Sequence, residues 1–289
     1  PAQHDVQPMK LFVGVTNNEW FRFLAERSPD EVNFWRPRSQ MDFKALQTGD
    51  VFLFKLHSPL DFIAGGGVFQ RHTFLPLPLA WQAFGEKNGV PDFDTFERRI
   101  LEHRSPDELS RQIGCTILVE PFFWPRERWI PVPTDWSRNI VTGKTYPLET
   151  AAGAALWEQV RARLAGNPIV SFAAEVAEAP RYGAPQVIHP RLGQGAFRVE
   201  VTDAYSRRCA ITGERTLPAL EAGHIRPYSK QGPHQTNNGI LLRSDLHNLF
   251  DLGYLTVTLD LKVEVSRRIK EEFENGRHYY DLHGETLKV

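Results

Sequence analysis

The chain has 289 residues, of which 41% are hydrophobic, and its 34 lysines and arginines against 35 aspartates and glutamates leave a net charge of −1. This length fits two domains better than one, and the near-neutral charge argues against a protein that coats a polyanion without preference. The two cysteines, Cys115 and Cys209, exclude a disulfide framework and leave no CxxC pair, so no structural zinc is expected. No exported leader and no membrane-spanning run is visible, which predicts a cytoplasmic protein with no membrane partner.

Short apolar runs alternate with turn residues from Lys10 to about Pro133, a pattern typical of a β-rich domain. Predicted strands lie at 11–15, 51–56, 62–69 and 116–120, and predicted helices at 18–26, 93–102 and 149–164. We assign residues 1–172 to this first domain, including its last helix. Residues 173–195, rich in proline and glycine without periodicity, are the predicted linker.

Residues 196–289 form the predicted second domain, and the whole chain is expected to be of the α+β class. A tight turn at 209–213 precedes two predicted strands, 217–225 and 239–242. The predicted helix at 244–252 follows, with Ser244 as its expected cap. Alternating apolar residues from 255 to 265 predict a hairpin that turns near Asp260, and a helix is predicted at 267–274.

Four residues of the second domain suggest phosphodiester hydrolysis. His224 is suited to take a proton from water, because an imidazole near its ordinary pKa does so at neutral pH. His247 and Asp251 lie four residues apart on a predicted helix and could both bind one divalent ion. Asn238, directly before Gly239, is expected to hold the intervening loop through side-chain to backbone hydrogen bonds.

The stretches 220–227, 238–239 and 247–251 resemble the HNH endonuclease family, of the ββα-metal, restriction-associated, McrA-like type. The resemblance implies that His224 is the general base, Asn238 the middle asparagine and His247 the metal-binding third residue. It also implies one divalent metal ion per active site (Mg²⁺, Mn²⁺, Ni²⁺ or Co²⁺) and a 5′-phosphate product. Many members carry Asp or His directly before the base, whereas this chain has Gly223. Either Asp251 or Glu221 is expected to supply the missing metal ligand.

Three basic residues near the predicted site are candidate phosphate contacts. The candidates are Arg226, Lys230 and Arg243.

The order of segments 33–38, 49–54 and 63–67 resembles the PUA-like superfamily, near its EVE and SRA-type modules, and implies a β-rich barrel that binds nucleic acid. Several members flip a modified base into an aromatic-lined pocket, which replaces the stacking that the base loses. The alternative is that these aromatic residues only fill the core and that Gly65 to Gly67 only allow close strand packing. The predicted modified-base pocket consists of Trp35, Phe34, Trp20, Asp50, Arg36 and Arg38.

A modified-base reader joined to a nuclease predicts a modification-dependent, type IV-like restriction endonuclease. The expected substrate is double-stranded DNA carrying 5-methylcytosine or 5-hydroxymethylcytosine, and a homodimer is expected because one HNH site nicks one strand. Three alternatives remain: a nuclease for unmodified DNA or RNA, a catalytically dead DNA-binding protein, and a metallohydrolase of small molecules.

Overall fold

The computed structural model describes residues 10–37, 43–104, 112–165, 193–226 and 235–288. The chain divides into two compact units, residues 1–190 and 191–289, and both mix helices with strands, so the α+β prediction is confirmed. Most of the predicted linker, 173–195, lies outside the described residues. A helix begins at Gln194, within the last residues of the predicted linker.

The described part of the first unit contains one mixed sheet. Its strands follow the order β2-β5-β4-β3-β1-β7, with β6 paired to β4, and only the β1–β3 pair is parallel. The strands are β1 Lys10–Thr16, β2 Glu31–Arg36, β3 Val51–Leu56, β4 Phe62–Pro76, β5 Gln112–Phe123, β6 Ile130–Pro131 and β7 Gly143–Pro147. The helices are α1 Asn18–Arg27, α2 Leu77–Phe84, α3 Phe93–Leu101 and α4 Ala151–Leu164.

Both faces of the central strands are buried, which explains why their sequences are continuously apolar. Side chains alternate between two cores, because successive residues of a strand point to opposite faces. On one face, Leu11 and Val13 pack in a core that includes Trp157 of α4. On the other face, Phe12 packs in a core that includes Trp20 of α1.

The glycine-rich part of β4 allows a very close approach of β5. A Cβ atom added at Gly65 would lie 2.2 Å from the carbonyl oxygen of Phe122, and one at Gly66 would lie 2.5 Å from the carbonyl oxygen of Phe52. These glycines are therefore explained by strand packing.

The described part of the second unit is built around a two-stranded hairpin, β8 and β9. Helix α5 and helix α6 both contact this hairpin. A second, smaller hairpin, β10 and β11, confirms the predicted turn near Asp260. The strands are β8 Leu220–His224, β9 Gly239–Arg243, β10 Leu255–Val257 and β11 Val263–Val265. The helices are α5 Gln194–Ala204, α6 Ser244–Asp251, α7 Arg268–Phe273 and α8 Arg277–Tyr280.

Two local predictions in this unit are wrong. The strand predicted at 217–225 begins only at Leu220, because Leu217–Ala219, which contains Pro218, forms a 3₁₀ turn. Ser244 does not cap α6: its hydroxyl donates to the carbonyl of Ala219 at 3.2 Å, and Arg243 occupies the N-cap position without a side-chain capping bond. No helix in the described ranges is long and apolar enough to cross a membrane.

Candidate active site

The ends of the β8–β9 hairpin are fixed by Asn238, as the sequence predicts. His224 pairs with Gly239 at the end of the two strands. The backbone N–H of Arg226 donates to Oδ1 of Asn238 at 2.9 Å, and Nδ2 of Asn238 donates to the carbonyl of Arg226 at 3.1 Å. The side chain is buried. These two bonds hold together both ends of the loop that follows His224.

One face of the hairpin brings three of the predicted residues together. Nδ1 of His247, on α6, lies 2.7 Å from Oε2 of Glu221, on β8, and Nε2 of His247 lies 3.4 Å from Oδ2 of Asp251. The hydrogen bond from His247 lowers the pKa of Glu221, and the charge of Arg198 acts in the same direction. The imidazole thus has one carboxylate at each of its nitrogens.

Gly223 lies directly under the ring of His247. A Cβ atom at Gly223 would lie 2.6 Å from Cδ2 and 2.7 Å from Nε2 of that ring. In this structure the space beside the hairpin at residue 223 is therefore filled by the imidazole of His247.

His224 and His247 do not point to a common position in this structure. Because neighbouring residues of a strand face opposite sides, His224 points away from the side on which Gly223 meets His247. Its ring stacks on Phe197 of α5, with the centroids 4.0 Å apart and the planes 4° from parallel, and its Nε2 atom is buried. The two histidines therefore lie on opposite faces of the hairpin, with His224 at the strand end.

The predicted phosphate contacts have different environments. Arg243 donates to both carboxylate oxygens of Asp245 at 2.7 Å, so its guanidinium is already engaged. Arg226 is exposed beside His224, and Lys230 lies outside the described residues. Of the two candidates that the structure describes, Arg226 is the exposed one.

Metal-binding groups near the site are few. Among the residues that the structure describes, no three His, Cys, Asp or Glu side chains are grouped closely enough to hold a metal ion. His247 and Asp251 instead form a pair of one nitrogen and one oxygen donor. Glu221 lies at the other nitrogen of the same ring, so the two carboxylates do not flank one common point.

The turn at Cys209 is held by backbone hydrogen bonds. The N–H of Gly213 donates to the carbonyl of Cys209 at 2.9 Å, and the N–H of Cys209 donates to the carbonyl of Glu214 at 2.8 Å. Gly213 has a φ of +76°, which a residue without a Cβ adopts easily. The turn is joined to the hairpin by Ala210, whose N–H donates to the carbonyl of Leu241.

The aromatic residues of the predicted base pocket do not share one side of the sheet. Trp20 is 4% exposed and its ring contacts those of Phe34 and Phe54, so it belongs to the core. Trp35 follows Phe34 in β2 and therefore points to the opposite face. There its Nε1 donates to the carbonyl of Asn88 at 2.8 Å. In this structure Trp20 and Phe34 therefore lie on one side of β2 and Trp35 on the other.

The polar residues predicted for that pocket are also dispersed. Asp50 is buried and accepts bonds from the backbone N–H groups of Gln47 and Lys10. Burial raises the pKa of Asp50, and these two bonds oppose the rise. Arg36 places its guanidinium 5.5 Å from the ring centroid of Phe43, and Arg38 lies outside the described residues.

Sequence patterns did not predict two groups of residues. Phe197, which stacks on His224, precedes the Cys209 turn and belongs to no motif; only its apolar side chain in α5 could have indicated a packing role. In the first unit, Phe43 lies next to Arg36 and 5.9 Å from His72, whose ring meets Phe74 edge-on at 5.2 Å. We name Arg36, Phe43, His72 and Phe74 the Phe43 group; all four are partly exposed.

Two kinds of comparison with known proteins find similarities to this chain. Solved structures similar to the chain include ASCH from Zymomonas mobilis, at 12% identity and a TM-score of 0.37, covering 51% of this chain and 94% of that one. A variant of the same protein has 12% identity and a TM-score of 0.38, covering 53% of this chain and 98% of that one. No curated protein matches.

The model of an HNH endonuclease family matches residues 209–258, which contain β8, β9 and α6. Residues 209–258 are therefore similar to HNH endonucleases.

Proposed function

We propose that the protein is a modification-dependent DNA endonuclease, in which the first unit recognises a modified cytosine and the HNH domain hydrolyses the phosphodiester backbone. One observation carries the nuclease part: the family match covers the hairpin and helix on which His224, Asn238 and His247 lie. The reader part is supported by the aromatic and cationic side chains of the first unit. The protein acts as a homodimer in this proposal, because one such site cuts one strand.

In the proposed reaction His224 takes a proton from the attacking water. Its ring stands at the end of β8, where Asn238 fixes the strand and Phe197 fixes the plane of the imidazole. Arg226, exposed two residues further on, is positioned to contact a phosphate oxygen. The scissile phosphate would therefore lie across the end of the hairpin, between His224 on one face and His247 on the other.

His247 and Asp251 are the residues that would hold a divalent ion. One imidazole nitrogen and one carboxylate oxygen, 3.4 Å apart, fit a cation whose other positions are taken by water and phosphate oxygens. When bound, the ion supplies charge that stabilises the transition state and the departing oxygen. The side chain of Asp251 is 57% exposed, so DNA can reach this edge of the site.

For the reader we propose the Phe43 group in place of the pocket that the sequence predicts. A base removed from the helix needs an aromatic face and polar groups for its edge. Phe43 supplies the ring, Arg36 a cation near it, and His72 a second ring whose Nδ1 lies 2.9 Å from Oγ1 of Thr116. In this proposal Trp35 supports the opposite face of the sheet and does not touch the base.

The nuclease proposal is tested with matched plasmids, either unmodified or carrying 5-methylcytosine or 5-hydroxymethylcytosine, incubated with Mg²⁺, Mn²⁺, Ni²⁺ or Co²⁺. Cutting is expected only for a modified plasmid and only with metal. His224→Ala should abolish cutting and retain DNA binding, whereas His103→Ala, at an exposed histidine of the first unit, should cut like the parent chain. Cutting by His224→Ala would remove His224 from the role of general base.

The reader proposal is tested by the ratio of affinities for modified and unmodified DNA. Phe43→Leu keeps an apolar side chain but removes the ring, and it should reduce this ratio by about tenfold or more, since a stacked base contributes about 1–3 kcal/mol. Trp35→Phe, on the opposite face, should leave the ratio unchanged. A ratio that falls with Trp35→Phe and not with Phe43→Leu would return the site to Trp35.

A second candidate function is a DNA-binding protein that does not cut. It is favoured by Gly223, which offers no ligand, and by the two-donor set on α6. Tight DNA binding without nicking at any of the four ions would support it. Equal cutting of unmodified DNA or of RNA would instead favour a nuclease without a modified-base reader.

A further inference from the structure

Three arginines of the first unit lie together where a 3₁₀ turn, Arg126–Arg128, contacts the C-terminal turn of α4. Nη2 of Arg128 donates to the carbonyl of Arg163 at 2.6 Å, and Nε of Arg163 donates to the carbonyl of Arg128 at 2.6 Å. Cζ of Arg126, two residues before Arg128, lies 6.0 Å from the ring centroid of Trp129. We name Arg126, Arg128 and Arg163 the arginine patch.

We propose that the arginine patch binds the phosphate backbone of double-stranded DNA. This inference rests on the proposed function, in which DNA is the substrate, and it adds a contact surface that is distinct from the Phe43 group. The ring of Trp129, beside the patch, lies 6.1 Å from that of Phe62, the first residue of β4, whereas His72 and Phe74 lie near the other end of that strand. The patch therefore contacts the DNA away from the modified base.

The positive charge of the arginine patch is not compensated by carboxylates. Within the described residues, none of its three guanidinium groups forms an ion pair with an Asp or Glu side chain, whereas Arg99 pairs with Glu19 and Arg243 pairs with Asp245. The chain as a whole has a net charge of −1, so composition does not explain unpaired cations in one place. Like charges that are held together repel each other, and a polyanion that binds them removes this repulsion.

Capping of α4 explains only one of the three arginines. The carbonyl of Arg163 is among the last carbonyls of α4, which lack a partner within the helix, and the helix dipole favours a cation at this end. Arg128 therefore stabilises α4. The bond from Arg163 back to Arg128 and the position of Arg126 are not needed for this cap. A guanidinium has more N–H donors than these backbone bonds use, so Arg128 and Arg163 keep donors for a phosphate.

The arginine patch is tested on the full-length protein by the salt dependence of DNA binding. Fluorescence anisotropy in metal-free buffer, in which no duplex is cut, measures the affinity for matched duplexes, unmodified or carrying 5-methylcytosine, at a series of NaCl concentrations. Losing one phosphate contact lowers the steepness of log affinity against log salt by about 0.9. Arg126→Gln and Arg128→Gln should each show about this decrease. Both should weaken binding of the two duplexes equally, because backbone contacts carry no base information.

Two further variants are controls. Arg128→Lys keeps the charge beside α4 and should keep the steepness of the parent chain. Arg98→Gln removes an exposed arginine of α3 and should leave the steepness unchanged. Urea unfolding measures any loss of stability in Arg128→Gln, which also removes the bond to the carbonyl of Arg163. Arg126 forms no hydrogen bond with the described residues, so Arg126→Gln tests the patch without this effect.

The two proposals fail in different ways. Folded Arg126→Gln and Arg128→Gln variants with the steepness of the parent chain would overturn the arginine patch even if the protein cuts modified DNA. An equal decrease in Arg98→Gln would overturn it as well, because the effect would then reflect net charge alone. By contrast, a decrease confined to the patch variants, in a protein that never cuts DNA or that binds both duplexes equally, would keep the patch and remove the nuclease or the modified-base reader.

Discussion

The imidazole of His224 and the ring of Phe197 lie face to face, with their centroids 4.0 Å apart and an angle of 4° between their planes. Phe197 belongs to α5, outside the residues that match the HNH family model. A helix that precedes the matched residues thus fixes the orientation of the proposed general base. His247 lies on the other face of the hairpin, so it is not part of this stack.

Replacing Phe197 by leucine tests whether the stack contributes to catalysis. Leucine keeps the apolar volume approximately, so the free energy of unfolding should fall by about 1–2 kcal/mol. The cutting rate should fall at least tenfold at unchanged DNA affinity, because the imidazole loses the surface that holds its plane. Phe96→Leu, at a fully buried phenylalanine of the first unit, should lose similar stability and keep the cutting rate. Equal cutting rates for both variants would make Phe197 a core residue only.

Asn238→Ala removes both hydrogen bonds that join the loop ends at Arg226. The free energy of unfolding should fall by about 1–2 kcal/mol, because the backbone N–H and C=O of Arg226 lose their partners near a buried side chain. The cutting rate should fall by more than the loss of folded protein accounts for, because His224 lies two residues from Arg226. Urea denaturation and a plasmid nicking assay measure the two effects. Asn237→Ala, at the exposed neighbouring asparagine, should change neither.

Gly239→Ala should introduce a clash between the hairpin and α5. Its Cβ would lie 2.1 Å from Cγ2 of Val201, although the extended backbone of Gly239 allows alanine. We expect a loss of about 1–3 kcal/mol in the free energy of unfolding, the usual cost of overpacking a core. Adding Val201→Ala removes the clashing methyl groups, so the double variant should lose less than the sum of the single losses by about 0.5–3 kcal/mol. Strict additivity in thermal or urea unfolding would contradict the contact.

The pair of Arg243 and Asp245 predicts a pH dependence of stability. The hydrogen bonds from Arg243 lower the pKa of Asp245 below its ordinary value. A carboxyl group with a lowered pKa stabilises the fold above its unfolded pKa and loses that contribution as the pH falls through the folded value. Arg243→Met should therefore lower the free energy of unfolding between pH 5 and 7, and the loss should be smaller below about pH 4. Because both side chains are more than a third exposed, the neutral-pH loss should be only about 0.5–1 kcal/mol.

Urea unfolding of the parent chain and Arg243→Met at a series of pH values measures this difference. Arg268→Met, which removes an exposed partner of Glu272 on α7, is the matched control for losing one arginine. A difference between parent and Arg243→Met that grows as the pH falls would reverse the sign that we derive.

Local patterns predicted many of the elements within each unit. The helix at Asn18–Arg27 follows an Asn17 side chain that accepts from the backbone N–H groups of Glu19 and Trp20, and such capping is a property of neighbouring residues. The hairpin β8–β9 and helix α6 were also predicted, since period and turn residues are local signals. The position of Asn238 next to Gly239 was enough to predict its hydrogen bonds to the loop.

The amino-acid sequence by itself predicted a two-part organisation, the α+β class and the candidate site residues His224, Asn238 and His247, because spacing and residue type are properties of the chain itself. Only the tertiary structure decided that Glu221 lies at Nδ1 of His247, that Gly223 makes room for this ring, and that Phe197 stacks on His224. Each of these contacts joins two residues that are 24 to 27 positions apart and lie on different elements. Which side chains meet across such distances depends on how α5 and α6 pack against the hairpin, and no local pattern encodes that packing.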